Sequence, residues 1–196
     1  SIIEIGVDEV GRGPMFGRVY TAAVILPKDD SFDHSMMKDS KKFHSKKKIQ
    51  EVAEYIKQNC IAWNVSYEDE KTIDTINILQ ATMLAMRRAI EDLSIRLGAW
   101  PDQALIDGNR CPELPIAAQT IIKGDSKEPA ISAASILAKV TRDRQMQVLH
   151  ELHPQYGFAQ HMGYPTEAHF AALKQYGACA EHRRSFSPVR KVLESI

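Results

Sequence analysis

The chain is poor in cysteine, has no long apolar run and carries no net charge, and each of these shortages closes off a class of protein. Its three cysteines (Cys60, Cys111 and Cys179) are odd in number and include no Cys-x-x-Cys pair, which disfavours a disulfide framework. They read as free thiols in a reducing compartment, so a cytoplasmic protein is expected. No stretch approaches the roughly 20 apolar residues of a membrane span, and no charged-then-apolar segment opens the chain; neither a membrane anchor nor a secretory leader is expected. Lysine plus arginine total 25 and aspartate plus glutamate total 25, which argues against a protein that coats polyanions indiscriminately. There is no Gly-x-x-x-x-Gly-Lys-Ser/Thr loop, which sets aside a nucleoside-triphosphate binder of that type. Internal repeats and low-complexity linkers are also missing.

What is present is an ordinary globular composition, 44% hydrophobic and 26% charged over 196 residues, enough for one domain and a small appendage. The charge is distributed unevenly. Lysines 38, 41, 42, 46, 47 and 48 face a single acid, Asp39, and a second basic cluster holds Arg183, Arg184, Arg190 and Lys191. A nucleic-acid partner would therefore touch only part of the surface.

Residues 2–7 and 18–26 read as strands, the second closed by Pro27. Ser45 can cap a helix to about Asn59, and a strand follows over 60–67. Asp74 is expected to cap a long amphipathic helix that ends at Gly98. Residues 104–106 and 120–122 read as short buried strands. A helix over about 129–152 opens with small residues that let it lie close to a sheet. Thr166–Tyr176 and a segment from Ser187-Pro188 complete the helices. Strands alternating with helices indicate a mixed sheet packed by helices, with a strandless tail after about residue 153.

The heptapeptide 8–14, Asp-Glu-Val-Gly-Arg-Gly-Pro, follows the first strand and joins two chemistries. Two carboxylates suit a divalent metal, and a Gly-Arg-Gly turn brings main-chain amides and one cation to a phosphate. Asp8, Glu9, Asp107 and Asp125 all lie at or just beyond strand ends, where ligands collect in sheets with parallel strands. Taken singly, Asp107 is equally a turn former and Asp125 a cap; the set carries the reading. Four converging acids repel by ~4 kcal/mol per close pair at an effective dielectric near 20, so they need raised pKa values or bound cations. Hard oxygen ligands suit Mg²⁺ or Mn²⁺, and two such ions ~4 Å apart support phosphodiester hydrolysis.

Eight blocks resemble the ribonuclease HII family, in order: 8–14, 39–41, 76–82, 106–110, 123–125, 133–144, 163–166 and 182–186. The departures are modest: Val10, the stretch 18–21, Ser126 and Ser132 differ from the family's usual small residues, and no carboxylate is lost. The resemblance implies an α/β, ribonuclease H-like fold: a five-stranded mixed sheet flanked by helices, with a helical C-terminal appendage. Residues 1–152 would form the catalytic domain, and 153–196 a helical part packed on it. It further implies a metal-dependent endonuclease acting on RNA–DNA hybrids and on single ribonucleotides embedded in duplex DNA. Cleavage 5′ of the ribonucleotide would leave 3′-hydroxyl and 5′-phosphate ends, as ribonucleotide excision repair requires. The family's metal-site acids fall on Asp8, Glu9, Asp107 and Asp125, the set already selected by strand ends. Asp8 is expected to bridge both ions, and Asp125 to hold the one that activates water.

By the same resemblance, Gly11, Arg12, Gly13 and Tyr164 recognise the junction between ribonucleotide and DNA. Lys41 and Lys42 are expected at phosphates, and Asn77 and Gln80, one helical turn apart, at a DNA backbone. Lys139, Arg142 and Arg144 read equally as phosphate contacts or a solvated helix face. His161 and His169 read as structural or surface residues. Cys179 and His182 have a Cys-x-x-His spacing, but two further ligands are missing for zinc. A monomer is expected, and the last residues show no docking motif for a replication clamp.

Overall fold

A computed structural model describes residues 2–39 and 42–195. Glycine, alanine and β-branched residues pack the centre of a five-stranded sheet. The strands are β1 (Glu4–Val10), β2 (Val19–Ile25), β3 (Ala62–Glu68), β4 (Gln103–Asp107) and β5 (Ala117–Ile121), in the order β3-β2-β1-β4-β5. β1 pairs antiparallel with β2 and parallel with β4, while β4 pairs parallel with β5. Among the described residues, eight α-helices surround the sheet: α1 (His34–Lys38), α2 (Lys46–Asn59), α3 (Glu70–Ile76), α4 (Ile78–Leu97), α5 (Pro129–Leu152), α6 (Phe158–His161), α7 (Glu167–Tyr176) and α8 (Ser187–Glu194). Among the described residues, none of these helices is long and apolar enough to cross a membrane.

Strand periodicity divides β1 between two cores. Ile5 and Val7 join Ala104, Ile106 and the α4 residues Met86, Ala89, Ile90 and Leu93 on one face. Gly6, Asp8 and Val10 point to the other face, where α5 lies with Ala133, Ala134, Leu137 and Ala138 buried. The approach of α5 is close: a Cβ on Gly6 would stand 2.3 Å from the Ala130 carbonyl carbon. Only glycine against a run of small residues permits that contact, and it places the start of α5 beside the strand that bears Asp8.

Three expectations are corrected. The helix predicted from Asp74 is two helices: Asp69 caps α3, the chain turns at Asn77 with φ +76°, and the Asn77 side chain caps α4 by accepting from Gln80 N at 2.9 Å. Asp74 lies inside α3 and its carboxylate is taken elsewhere, by the amides of Arg184 and Ser185. β5 is an exposed edge strand, not a buried one, and covers 117–121, because the sheet ends there. The segment after residue 153 does form a strand-type contact, a single bridge between Phe16 and His182.

Candidate active site

The carboxyl ends of β1 and β4 gather the acids. Parallel register pairs Val7 with Ile106, so Asp8 and Asp107 follow side by side and, by alternation, share the face toward α5. The 3-10 turn Gly124–Ser126 after β5 brings Asp125 to the same place, its amide donating to Asp107 Oδ1 at 3.3 Å. Gly124 packs tightly there, since a Cβ on it would meet Ile131 at 2.6 Å and Asp107 Oδ1 at 3.4 Å. Glu9 points to the opposite side of the strand end, and its amide donates to Asp8 Oδ1 at 2.7 Å.

Burial and repulsion act together on this cluster. Asp8 is 5% exposed. Desolvation first, then the charges of Asp107, Glu9 and Asp125, push its pKa up to about 8 against a hydrogen bond that lowers it. Glu9 is also raised, chiefly by burial, with Arg12 opposing and Asp107 adding. No three of the four acids bring carboxylate oxygens within 4.8 Å of one another among the described residues. Every donor in the cluster is a carboxylate oxygen, which suits a hard divalent ion.

The glycine loop lies immediately beside the cluster. Gly11 has φ +95°, and a Cβ there would collide with Arg142 Nε at 2.6 Å, so both backbone and space demand glycine. Arg12 and Gly13 are exposed. Tyr164, distant in sequence, sits against this loop: a Cβ on Gly13 would be 3.3 Å from its ring, and Met15 N donates to Gly163 O at 2.9 Å. The Tyr164 ring is 39% exposed and stays open to a ligand.

Two arginines set the loop's shape, and reading them as surface cations is corrected. Arg183 is fully buried and donates to the carbonyls of Gly11, Arg12, Pro14 and Gly17. Arg142, 2% exposed, donates to Phe16, Arg18 and Met162 carbonyls. The sequence does hold a signal for Arg142: it occupies the i+4 position after Ala138 and before Met146 on the apolar stripe of α5. Arg183 has no comparable signal.

Behind Tyr164 lies a buried imidazole relay. Cys179 N donates to His182 Nδ1 at 3.0 Å, which leaves the His182 proton on Nε2 to donate to His169 Nε2 at 2.9 Å. His169 then keeps its proton on Nδ1 and donates to Tyr164 O at 2.9 Å. Burial is the largest cause holding both rings neutral, lowering His169 to about 4 and His182 to about 3.

Lys41 lies outside the described residues. Lys42 is exposed, its ammonium 3.5 Å from Asp39. Asn77 uses its side-chain oxygen as the α4 cap, and Gln80 is exposed.

Comparison with known proteins gives consistent findings. The family model described as Ribonuclease HII matches residues 5–189. The Ribonuclease HII of Polynucleobacter necessarius is 68% identical over 197 residues, covering 100% of this chain and 98% of that protein. That of Vibrio parahaemolyticus is 53% identical over 188 residues, covering 96% and 86%. Among solved structures, ribonuclease H2 from Pyrococcus horikoshii superposes with a TM-score of 0.81 at 24% identity, over 99% of this chain and 98% of that one. The ribonuclease HII in a PCNA complex from Archaeoglobus fulgidus gives 0.76 at 24% identity, over 95% and 96%. The fold is thus the ribonuclease H-like one, with five mixed strands and a helical C-terminal part.

Proposed function

The chain belongs to the ribonuclease HII family, a ribonuclease H-type endonuclease, and on that premise we propose that it cuts the phosphodiester 5′ of a ribonucleotide. Its substrates would be RNA–DNA hybrids and duplex DNA carrying single ribonucleotides, with 3′-hydroxyl and 5′-phosphate products. The observation that carries this reading is the shared face of Asp8 and Asp107, with Asp125 hydrogen-bonded to the second and Glu9 adjoining the first.

Asp8, Glu9, Asp107 and Asp125 would hold Mg²⁺ or Mn²⁺. The raised proton affinity of Asp8 comes first from burial and then from the neighbouring carboxylates, and a divalent cation would relieve that carboxylate repulsion. A bound pair of such ions supplies an activated water and a charge partner for the leaving oxygen. The protein's own residues orient the strand. Main-chain amides of Gly11–Gly13 would reach the adjoining phosphate and the 2′-hydroxyl, the group that distinguishes RNA from DNA. Arg12 grips that phosphate. The Tyr164 ring stacks on the next sugar and disfavours an extra hydroxyl there. Arg183 is a positioning residue: it fixes the carbonyls of Gly11, Arg12 and Pro14 and with them the shape of the loop. Lys42, Asn77, Gln80 and Lys41 would contact the flanking backbone. The three free thiols suit a reducing, cytoplasmic setting, where the chain would act as a monomer on ribonucleotides awaiting excision.

The test is duplex DNA carrying one ribonucleotide, incubated with Mg²⁺, Mn²⁺ or chelator, beside an Asp125→Asn variant. Cutting 5′ of the ribonucleotide with metal, and loss of at least ~100-fold in the variant, is expected. Uncut substrate with both metals would sink the reading. Equal cutting of an all-RNA strand without an RNA–DNA junction would instead sink the roles given to Gly11–Gly13 and Tyr164.

A further inference from the structure

Away from the carboxylate cluster, His153, Cys179 and Glu181 converge: one ligand atom of each, Nε2 or Nδ1, Sγ and a carboxylate oxygen, lies within 4.8 Å of the others. We propose that these three side chains form a zinc site whose ion fastens the end of α5 to the loop between α7 and α8. His153 is the residue that ends α5, while Cys179 and Glu181 belong to that loop.

The donor set points to the metal. A thiolate, an imidazole and one carboxylate make a soft-to-borderline site of the kind zinc takes, not the all-oxygen site of Mg²⁺ or Mn²⁺. Zinc bonds of about 2.0–2.3 Å at a tetrahedral centre set neighbouring ligand atoms roughly 3.3–3.6 Å apart. His153 Nε2 and Glu181 Oε1 are already 3.0 Å apart. Three protein ligands leave the fourth place for water. Binding exchanges the Cys179 thiol proton for the ion, and the proton passes to solvent.

The backbone around the site is fixed in advance. His182 Nδ1 accepts the Cys179 amide and lies 3.2 Å from Sγ, so it orients the cysteine and is not itself offered to the ion. Glu181 O accepts from Gly17 N at 2.8 Å, and Tyr156 donates its hydroxyl to Gly177 O at 2.6 Å. His153 and Glu181 are each about one quarter exposed, 27% and 25%, which gives an ion a route from solvent. The Cys-x-x-His spacing suggests Cys179 with His182, yet the fold presents Cys179 with Glu181 and adds His153 from 26 residues earlier in the sequence. An ion here would brace the segment that leads directly into Arg183, the clamp of the glycine loop.

The test uses the reduced, chelator-treated full chain titrated with Co²⁺ alone, followed by Zn²⁺. We expect one equivalent of cobalt with a thiolate-to-metal charge-transfer band, displaced by zinc. The band should persist in Cys60→Ser, Cys111→Ser and Asp8→Asn, vanish in Cys179→Ser, and need at least tenfold more cobalt in His153→Gln and Glu181→Gln. Zinc at about a hundredfold above its dissociation constant should raise the melting midpoint of the unaltered chain by roughly 5–10 °C, and not that of the variants. His153→Gln changes a partly exposed residue, so it keeps the test open if Cys179→Ser fails to fold. Absence of the band in the unaltered chain would overturn the proposal, as would its survival in Cys179→Ser. So would unchanged cobalt affinity in His153→Gln and Glu181→Gln, the result expected if these two form only an ion pair.

Discussion

Arg183 donates from Nη2 to the carbonyl of Gly11 at 2.6 Å, joining residues 172 apart in sequence. The same guanidinium reaches Gly17 O at 2.8 Å, Arg12 O at 3.1 Å and Pro14 O at 2.6 Å. One buried cation thus holds four carbonyls of the glycine loop and its flank. Burial lowers the pKa of Arg183 to about 9, with the charge of Arg142 adding to the effect, so it remains protonated at neutral pH.

Replacing this clamp should be costly even with charge retained. Lysine presents its donors from one point and cannot span four carbonyls as the planar guanidinium does. Arg183→Lys is expected to lose about 2–4 kcal/mol of stability, mostly from carbonyls left unsatisfied. Urea unfolding measures the loss, and kcat/KM on a single-ribonucleotide duplex should fall with it. A variant within 0.5 kcal/mol of the parent, a bound roughly at the noise expected for surface changes, would refute the clamp.

Asp8 makes the metal-free protein sensitive to alkaline pH. Its native pKa of about 8 stands above the ordinary carboxylate value of 3.8, so between those values the native state keeps a proton that the unfolded chain has lost. The stability tied to this group is complete below about pH 4 and is lost as pH rises through 8. Asp8→Asn removes that slope and should gain on the order of 2–5 kcal/mol at pH 8 in chelator, while abolishing cleavage. Urea midpoints at pH 5 and pH 8 decide it; parallel slopes for parent and variant would exclude the effect.

The imidazole relay acts in the opposite direction. His169 and His182 have native values of about 4 and about 3, below the ordinary imidazole value of 6.5, so acid protonates the unfolded chain first. Their contribution is whole above pH 6.5 and declines as pH falls toward 4 and 3. Nitrogen NMR of the native protein at pH 7 should find His182 protonated on Nε2 and His169 on Nδ1. Either ring in the other tautomer would break the chain of donors that ends at Tyr164 O.

Asp74 ties the C-terminal segment to α3 and does not begin a helix. It accepts from Arg184 N at 3.0 Å, Ser185 N at 2.9 Å and Ser185 Oγ at 2.6 Å. Asp74→Ala should cost about 1–2 kcal/mol and speed hydrogen exchange at the amides of Arg184 and Ser185. A variant with lower helix content over 78–97 would instead restore the capping role expected from sequence.

Most elements were legible because their signals are local. Ser45 before α2, Thr166 before α7, Pro129 opening α5 and Gly98 after α4 each act within one turn of the backbone they shape. The break at Asn77 was not legible, since the apolar pattern runs through both helices and the turn is made by a non-glycine residue at φ +76°. β5 misled for a similar reason: a sheet's edge is a property of strand order, which residues 117–121 do not encode.

The chemistry is already written in the chain: four acids at strand ends, a glycine loop around one arginine, and the blocks that mark the family. These are facts about residue type and short spacing, and short spacing is what local backbone geometry reads. Packing in three dimensions settles which polar groups are removed from water. It set Asp8 beside Asp107, turned Arg142 and Arg183 from apparent surface charges into buried clamps, seated Tyr164 on Gly13 and brought His153 to Cys179. Burial and long-range contact depend on how distant segments pack, and the same side chain changes role when its solvent becomes protein.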